Sequence, residues 1–344
     1  MPLLRRVFTR LAPYAALLAG GSALASCGYA PPVAPQSAHD ARVDLLADLL
    51  VCDEDGADCR SPRLDEIQQR TVHNAYEQSD PVGALLEDSG FRSLELDIHT
   101  NKIGHAKREG KWFVYHRDFP SLGASSCATL EACMSDVAAF HEASPDHDPI
   151  TVFVDLKDGF GPGHTPEQLD AELAKQFDVK SIWTPGDLFA SCPTATTLRD
   201  AVTGSCGWPQ IADLRGKILF ALTGGTACGP SSKLDAYVDG GRTASSRLSF
   251  VAPNVNDECR AGDLTSAVIV NRAYRDLKLA PSIRKDGVLT RAYYGGLRGG
   301  LDNAEVWAEA IERGVNFLAT DRVEAARHPY IDLGPRPLVN ERGL

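Results

Sequence analysis

Short apolar runs alternate with polar stretches along most of the chain beyond residue 42. The run 150–156 (Ile-Thr-Val-Phe-Val-Asp-Leu) is nearly continuous in apolar character, which is typical of a strand buried on both faces. Segment 267–270 is ambiguous, since it fits either an extra strand or part of a helix. We predict strands at 91–98, 112–115, 150–156, 217–222, 248–252, 288–293 and 315–319.

Helical stretches lie between these runs, and two of them have clear ends. Thr165, Pro166 and Glu167 supply a capping residue, a proline at the first helical position and an acid in the first turn. Segment 303–313 has apolar residues at helical spacing and is followed by Gly314, which is typical of a helix C-terminus.

Strands separated by helices indicate parallel βαβ units and therefore an α/β fold. Seven or eight such strands favour a closed (β/α)8 TIM barrel in a single domain. A doubly wound open sheet is the alternative. The first strand lacks the Gly-rich phosphate loop found in many such sheets, which favours the barrel.

The N-terminal segment 1–26 is typical of an export signal. Three arginines precede a stretch of small and apolar residues, and Leu24-Ala25-Ser26-Cys27 then has the pattern of a bacterial lipobox. We expect Cys27 to be lipidated and to anchor the protein in a bacterial cell envelope, facing the periplasm or the exterior. The alternative is ordinary signal cleavage nearby, with a secreted product and Cys27 incidental.

Residues 27–42 are rich in proline, alanine and serine, which predicts a flexible tether. We assign the barrel to 43–335 and a short tail to 336–344. The formal charge is −11, and because the signal segment carries +3, the remainder carries −14. An acidic body of this kind disfavours nucleic acid as a partner. We expect the protein to be a monomer, held at a membrane surface by its N-terminal lipid anchor.

The cysteines indicate disulfides. Removing Cys27 from the nine cysteines leaves an even number, which outside the cytoplasm is typical of a disulfide framework. A zinc site is the alternative, but no CxxC pair occurs. Spacing cannot fix the pairing, and our hypothesis joins neighbours in the sequence: Cys52–Cys59, Cys127–Cys133, Cys192–Cys206 and Cys228–Cys259.

Carboxylates recur on one face of the strand 91–98. Glu95 and Asp97 are two residues apart, so they point the same way, with His99 continuing that face. Two buried acids side by side are unfavourable unless a positive group lies between them. With Asn74 and Asp155 they could hold a hard cation, calcium or magnesium. Equally, Arg92 or Lys157 could simply pair with these acids.

Two histidines stand at the ends of predicted strands, beside these acids. His73 directly precedes Asn74, and His116 ends the run 112–115. Imidazole titrates near neutral pH and suits proton transfer. The remaining histidines lie in polar stretches and are predicted to be at the surface: His39, His105, His141, His147, His164 and His328.

Two cations also lie within or beside predicted strands. Lys157 follows Asp155 by two residues and shares its face, and Arg291 lies inside the run Leu289-Thr290-Arg291-Ala292-Tyr293. Either could contact a phosphate, and either could form an ion pair with a barrel acid.

These motifs resemble the phosphatidylinositol-specific phospholipase C superfamily, in particular its bacterial calcium-dependent branch. The motifs that carry the resemblance are His73-Asn74-Ala75-Tyr76, Leu94-Glu95-Leu96-Asp97, Val114-Tyr115-His116, Thr290-Arg291-Ala292 and the run from Gly314 to Asp321. They occur in the order and with gaps similar to those of the family, and they bracket most of residues 65–330.

The resemblance implies a distorted (β/α)8 barrel and an intramolecular first step. In the family, the inositol 2-hydroxyl attacks the phosphorus, diacylglycerol leaves and a cyclic inositol phosphate forms. We therefore expect a phosphoinositide or a related phosphodiester lipid as substrate and Ca²⁺ as cofactor, with Mg²⁺ as the second candidate.

Carried over by motif, Asn74, Glu95 and Asp97 would bind calcium, with Asp155 as the fourth ligand. His73 would hydrogen-bond the phosphoryl oxygen, and His116 would protonate the leaving glycerol oxygen.

Glu95 or Asp155 would act as the base, and we expect Lys157, Arg291 and Tyr293 to contact substrate.

Two positions depart from the pattern. Lys157 stands where eukaryotic relatives have a glutamate, and Tyr293 begins a Tyr-Tyr pair where bacterial relatives tend to have an acid.

Two other functions fit parts of the sequence. A glycerophosphodiester phosphodiesterase has a similar barrel, but its first motif normally reads His-Arg-Gly, whereas this chain has His73-Asn74-Ala75. A non-catalytic, lipid-anchored binding protein has no need for both His73 and His116. The first motif and the presence of both histidines therefore favour the phospholipase.

Overall fold

The computed structural model describes the chain in segments separated by gaps. The described residues are 51–52, 59–87, 91–101, 110–116, 125–225, 232–255, 265–273, 277–278, 280–293, 303–321 and 323. All of them belong to the larger of the two units into which the chain divides, Ser37–Leu344. The predicted signal segment, Cys27, the tether and the C-terminal tail lie outside the described residues.

Two short strands, β1 (Val51–Cys52) and β2 (Cys59–Arg60), form an antiparallel pair. The main sheet follows. Its nine strands are β3 (Gln69–Val72), β4 (Phe91–His99), β5 (Phe113–Val114), β6 (Ile150–Leu156), β7 (Ile218–Thr223), β8 (Phe250–Val251), β9 (Ile269–Ala273), β10 (Leu289–Tyr293) and β11 (Phe317–Thr320).

Eight of these strands are parallel and lie in the order β8-β7-β6-β4-β3-β11-β10-β9. The first barrel strand pairs directly with the last, with Thr71 opposite Ala319. Between β8 and β9, a single bridge joins Asn254 to Asn271. The sheet is therefore a nearly closed, distorted (β/α)8 barrel, as predicted, and the open-sheet alternative is wrong.

The helices have the ends that the sequence indicates. In α3, the Thr165 hydroxyl accepts from the Gln168 backbone N–H, and Pro166 occupies the first turn. In α8, Asn303 caps the N-terminus, and Gly314 follows the C-terminus with a φ of +70°. The helices are α1 (Val82–Glu87), α2 (Leu130–Ala143), α3 (Pro166–Ala174), α4 (Pro185–Ala190), α5 (Leu198–Thr203), α6 (Lys233–Val238), α7 (Ala280–Lys285) and α8 (Ala304–Glu312).

The strand at 112–115 does not have the role that its apolar run suggests. Only β5 forms there, and it pairs antiparallel with the end of β4, with Ile98 opposite Val114. It is therefore an addition at the carboxyl end of β4 and not one of the eight barrel strands. The ambiguous segment 267–270 contributes to β9 and is a strand.

Two predicted disulfides are present, Cys127–Cys133 and Cys192–Cys206. Cys59 is also disulfide-bonded, and it lies opposite Cys52 in the β1–β2 pair. Cys228 and Cys259 lie outside the described residues.

The prediction that the remaining histidines lie at the surface is wrong for His147 and His164, which are both buried. The ring of His147 donates from Nδ1 to the backbone carbonyl of Asp148, and His164 Nε2 contacts the Lys111 carbonyl. Backbone partners of this kind allow an imidazole to be buried in a polar segment. His39, His105 and His328 lie outside the described residues.

One glycine lets two strands meet tightly beside the site described below. Gly224 follows β7 with a φ of +145°, and a Cβ there would lie 2.6 Å from the Leu156 carbonyl oxygen. The same carbonyl accepts a hydrogen bond from Lys233 Nζ at 2.6 Å. The carboxyl end of β6 is therefore held from two sides. Across the described part of the chain, no helix combines the length and apolar character needed to cross a membrane.

Candidate active site

The carboxyl ends of β3, β4 and β6 are neighbours in the barrel and carry the predicted acids. Asp97 of β4 lies directly opposite Asp155 of β6 in the parallel register. Oxygen atoms of Glu95, Asp97 and Asp155 all lie within 4.8 Å of one another. We call these three residues the acid cluster. Glu95 and Asp97 are buried, and Asp155 is half-buried.

The acid cluster has the chemistry of a hard-cation site. Neither oxygen of Asp97 accepts a well-aligned hydrogen bond from the described part of the chain, although the residue is 1% exposed. Burial, and then repulsion from Glu95, raise the pKa of Asp97 to about 7. A bound cation would therefore stabilise the ionised form of Asp97. Three clustered carboxylates are ligands that Ca²⁺ and Mg²⁺ accept, so the residues present fit such an ion.

Lys157 lies among these acids. Its Nζ is 2.9 Å from Asp97 Oδ2 and 2.6 Å from Asp155 Oδ2. Burial lowers the pKa of Lys157, but Asp155 and Asp97 outweigh it and raise the pKa above its usual value. The ion pair that the sequence allowed is therefore formed by Lys157. Arg92 instead donates to the carbonyl of Leu86, and its Nε lies 3.9 Å from Asp148 Oδ2.

Glu95 has two positive neighbours. Arg291 Nη2 lies 2.7 Å from Glu95 Oε2, and His73 Nε2 lies 3.2 Å from the same oxygen. Although burial opposes ionisation, Arg291 and His73 lower the pKa of Glu95, so it is a carboxylate. Arg291 is 0% exposed, and its Nη1 donates to Asn271 Oδ1 at 2.9 Å. Arg291 therefore holds Glu95 in place, and its contact with substrate stays a prediction.

Two aromatic rings lie close to the Arg291 guanidinium. Its centre lies 4.8 Å from the ring centroid of Phe153 and 5.5 Å from that of Tyr293. Such contacts stabilise a buried guanidinium. Tyr293 is half-buried at the end of β10, on the same side of the barrel as the acid cluster.

His73 lies between two carboxylates. Its Nδ1 forms a hydrogen bond with Asp321, and its Nε2 faces Glu95. Burial lowers the pKa of His73, but Glu95 and Asp321 outweigh it and raise the pKa. Asp321 was not among the predicted site residues. It follows β11, and because β11 pairs with β3, the residues after these two strands meet.

Asn74 turns the chain sharply after β3. Its φ is +48°, and a 3₁₀ helix, Ala75–Glu77, follows. The Tyr76 hydroxyl donates to Asn74 Oδ1 at 3.2 Å, and Asn74 Nδ2 donates to Glu77 Oε2 at 3.0 Å. Burial and Asp97 raise the pKa of Tyr76, so its hydroxyl stays protonated.

His116 reaches the same end of the barrel through β5. Its Nδ1 lies 3.2 Å from Glu77 Oε1, and its side chain is 40% exposed. The preceding Tyr115 stacks on His99, with ring centroids 3.8 Å apart, and its backbone carbonyl lies 3.0 Å from His99 Nε2. Glu77, which the sequence interpretation also omitted, thus links His116 to Asn74.

The structure resembles two solved phospholipases C. It is similar to a calcium-dependent phosphoinositol-specific phospholipase C from a Gram-negative Pseudomonas species, in its apo form with myo-inositol. The identity is 25% and the TM-score 0.64, covering 77% of this chain and 92% of that chain. It also shares its fold with a Ca²⁺-dependent phosphatidylinositol-specific phospholipase C from Streptomyces antibioticus. There the identity is 22% and the TM-score 0.61, covering 78% of this chain and 98% of that chain.

A comparison with curated proteins gives no match. The profile of the Ca²⁺-dependent phosphoinositide phospholipase C family, in contrast, matches residues 121–328, more than half of the chain. This match contains Asp155, Lys157 and Arg291, whereas His73 and the β4 acids lie before it. The chain therefore belongs to the Ca²⁺-dependent phosphoinositide phospholipase C family and is a phosphodiesterase.

Proposed function

We propose that this phosphodiesterase cleaves phosphatidylinositol-type lipids to diacylglycerol and a cyclic inositol phosphate, in a calcium-dependent reaction. The observation that carries the proposal is the acid cluster at the barrel mouth, with His73 directly beside Glu95. Cleavage of a phosphodiester needs charge neutralisation and proton transfer at adjacent positions. This end of the barrel supplies groups for both.

The cation would be held by Asn74, Glu95, Asp97 and Asp155, with Ca²⁺ preferred and Mg²⁺ as the second candidate. When bound there, it would neutralise phosphate charge and lower the pKa of the attacking hydroxyl. Tyr76 supports this ligand set by donating to the Asn74 oxygen, which helps to orient the amide.

The histidines act on the phosphate and on the leaving group. His73, held at Nδ1 by Asp321, donates from Nε2 to a phosphoryl oxygen as charge develops on it. His116, held at Nδ1 by Glu77, has its Nε2 left to protonate the leaving glycerol oxygen.

The nucleophile comes from the substrate itself. The inositol 2-hydroxyl oxygen bonds to phosphorus, the bond from phosphorus to the glycerol oxygen breaks, and the ring closes. Glu95, kept ionised by Arg291 and His73, takes the hydroxyl proton, with Asp155 as the alternative base. Because nucleophile and phosphorus belong to one molecule, much of the entropic barrier is removed before reaction. Water can then open the cyclic product.

Substrate contacts are proposed for Lys157 and Tyr293. The Lys157 side chain is 31% exposed, so its ammonium can reach a phosphate oxygen from its place among the acids. Tyr293 would contact the inositol ring or its substituents at the end of β10. Arg291, which is fully buried, would act on the substrate through Glu95.

A lipid anchor on Cys27 would place the barrel at a bacterial membrane surface, where such lipids lie. The support is the lipobox pattern of the sequence. Replacement of Cys27 by alanine should release active protein from the membrane fraction. A protein that stays in that fraction after this replacement would contradict the anchor.

Phosphorus NMR tests the function. Phosphatidylinositol, lysophosphatidylinositol and glycerophosphoinositol are incubated with protein in calcium or in chelator. We expect a cyclic phosphodiester signal from the lipids that requires calcium and is lost in His116→Ala. Glycerol phosphate as the product would instead indicate a glycerophosphodiester phosphodiesterase. No turnover of any of these phosphodiesters would favour a binding protein.

A further inference from the structure

The side chain of Glu77 contacts two residues of the proposed active site at once. Its Oε2 accepts a hydrogen bond from Asn74 Nδ2 at 3.0 Å, and its Oε1 lies 3.2 Å from His116 Nδ1. One carboxylate therefore joins a proposed cation ligand to the proposed leaving-group acid. These two residues follow separate strands, β3 and β5, that are not paired with each other.

Local backbone geometry makes this contact possible. Asn74 is in the left-handed region, with a φ of +48°, and the Glu77 backbone N–H donates to the Asn74 carbonyl at 2.8 Å. The short 3₁₀ helix brings Glu77 back over Asn74, so its side chain lies between Asn74 and His116. Few residues other than glycine and asparagine adopt such a φ readily, which ties the position of Glu77 to Asn74.

The contact fixes the direction of the Asn74 amide. Because Nδ2 donates to Glu77, Oδ1 must face the other way, where Tyr76 donates to it. A reversed amide would place Oδ1 against the Glu77 carboxylate, and two acceptors repel each other. Glu77 therefore keeps the proposed ligand oxygen of Asn74 turned away from its own carboxylate and toward the Tyr76 hydroxyl.

The same carboxylate fixes the protonated nitrogen of His116. A carboxylate only accepts, so His116 Nδ1 must carry the proton that it donates to Oε1. This leaves Nε2 as the nitrogen available to the leaving group. The side chains of Glu77 and His116 are 34% and 40% exposed, so water screens their charges. Orientation, more than attraction, is what this contact supplies.

We propose that Glu77 is a positioning residue that couples the cation ligand Asn74 to the leaving-group acid His116. The inference rests on the proposed function, because Asn74 and His116 have these roles only in a phosphodiesterase of that type. Residues of this kind, which orient a ligand or an acid without touching substrate, typically contribute about 10–100-fold to metal affinity or activity.

Two substrates that differ in their leaving group give the sharpest test. Phosphatidylinositol releases an alkoxide that needs a proton, whereas inositol p-nitrophenyl phosphate releases a stable phenolate that does not. In Glu77→Leu at saturating calcium, we expect turnover of the lipid to fall about 10–100-fold and turnover of the aryl ester to fall much less. Equal losses on both substrates would show general disruption and would overturn the proposal.

Two readouts do not depend on turnover. Calorimetry should show calcium binding weakened about tenfold in Glu77→Leu. Nitrogen-15 NMR should show that His116 loses its fixed Nδ1–H form and becomes a mixture of tautomers. An unchanged calcium affinity together with an unchanged His116 spectrum would overturn the proposal. If the wild-type protein cleaves neither substrate, the proposed function fails, while these two measurements still decide whether Glu77 couples Asn74 to His116.

A second variant and a control complete the design. Glu77→Gln keeps one acceptor oxygen. It should therefore retain either the wild-type calcium affinity, through Asn74, or the fixed His116 tautomer, but not both. Glu77→Gln also takes the place of Glu77→Leu if that variant does not fold. If Glu77→Gln has both the calcium affinity and the His116 spectrum of the wild-type protein, the coupling is contradicted. Glu309→Leu removes an exposed glutamate that pairs with Arg313 on α8, and it should match the wild-type protein throughout.

Discussion

The Lys157 ammonium lies 2.9 Å from Asp97 Oδ2, within the group of acids proposed to hold the cation. It also contacts Asp155 at 2.6 Å. Lys157 therefore supplies positive charge to the acid cluster. A cation that enters the acid cluster must displace this ammonium or share the acids with it.

Replacement of Lys157 by glutamine should tighten calcium binding and destabilise the calcium-free protein. The buried acids would lose their compensating charge, which should lower the free energy of unfolding by about 1–3 kcal/mol, since the ion pair is partly exposed. Calorimetry and urea unfolding, each with and without calcium, measure the two effects. Lys175→Gln, which breaks an exposed pair with Glu131, serves as the control. Weaker calcium binding in Lys157→Gln would contradict the competition.

Arg291 should be needed for stability because it is the buried partner of Glu95. Replacing Arg291 by methionine leaves the Glu95 carboxylate buried without its closest cation. We expect the free energy of unfolding to fall by about 3–5 kcal/mol, as for other broken buried pairs. The double variant Arg291→Met, Glu95→Gln should recover part of this loss, and Arg313→Met at an exposed pair should change stability little. A single variant as stable as the wild-type protein would refute the assignment.

Asp321 should matter for turnover through its hydrogen bond to His73 Nδ1. The variant Asp321→Asn keeps the shape of the side chain but can present an N–H to the ring and permit the wrong tautomer. We expect the rate of lipid cleavage to fall by at least about tenfold, with calcium affinity largely kept. A rate within twofold of wild type, at matched stability, would show that Asp321 does not orient His73.

Stability should fall in mild acid because of His147. Burial, opposed by the Asp148 carbonyl, lowers the pKa of His147 to about 4. Its Nε2 accepts from His141 Nδ1 at 2.9 Å, so a proton on Nε2 would set two donors against each other. Between its ordinary pKa of about 6.5 and this lowered value, the unfolded chain binds a proton that the folded chain refuses. Stability is therefore complete above that window and declines as the pH falls through it.

Between pH 7 and pH 5, this group should remove about 2 kcal/mol from the free energy of unfolding. Urea unfolding at both pH values measures the change. In His147→Asn the decline should be smaller by that amount, since every other titrating group is shared with the wild-type protein. Equal pH dependence in both proteins would contradict a neutral, buried His147.

The barrel and the centre of the site follow from patterns that a sequence displays. The two-residue spacing of Glu95 and Asp97 and the buried run of β6 fix which side chains face inward, because side chains alternate along a strand. That Lys157 would share the face of Asp155 follows from the same rule. These features depend on the spacing of residues along single strands, which is visible in the sequence.

Other features depend on closure of the barrel or on single turns. Asp321 meets His73 only because β11 pairs with β3, and Glu77 meets His116 only because Asn74 turns the chain sharply. The burial of His147 depends on backbone carbonyls that satisfy its ring. None of these contacts has a local signal, so residue patterns alone did not reveal them.

The central claim is that the acid cluster holds the cation. A calorimetric titration of the wild-type protein and of Asp97→Asn with calcium tests it most directly. Because the Lys157 ammonium that pairs with Asp97 also pairs with Asp155, this isosteric change should leave the calcium-free fold intact. We expect one calcium ion to bind the wild-type protein, and binding to Asp97→Asn to weaken by about 100-fold or more. Equal calcium affinity in the two proteins, or no calcium binding to the wild-type protein, would contradict the claim that the acid cluster holds the cation.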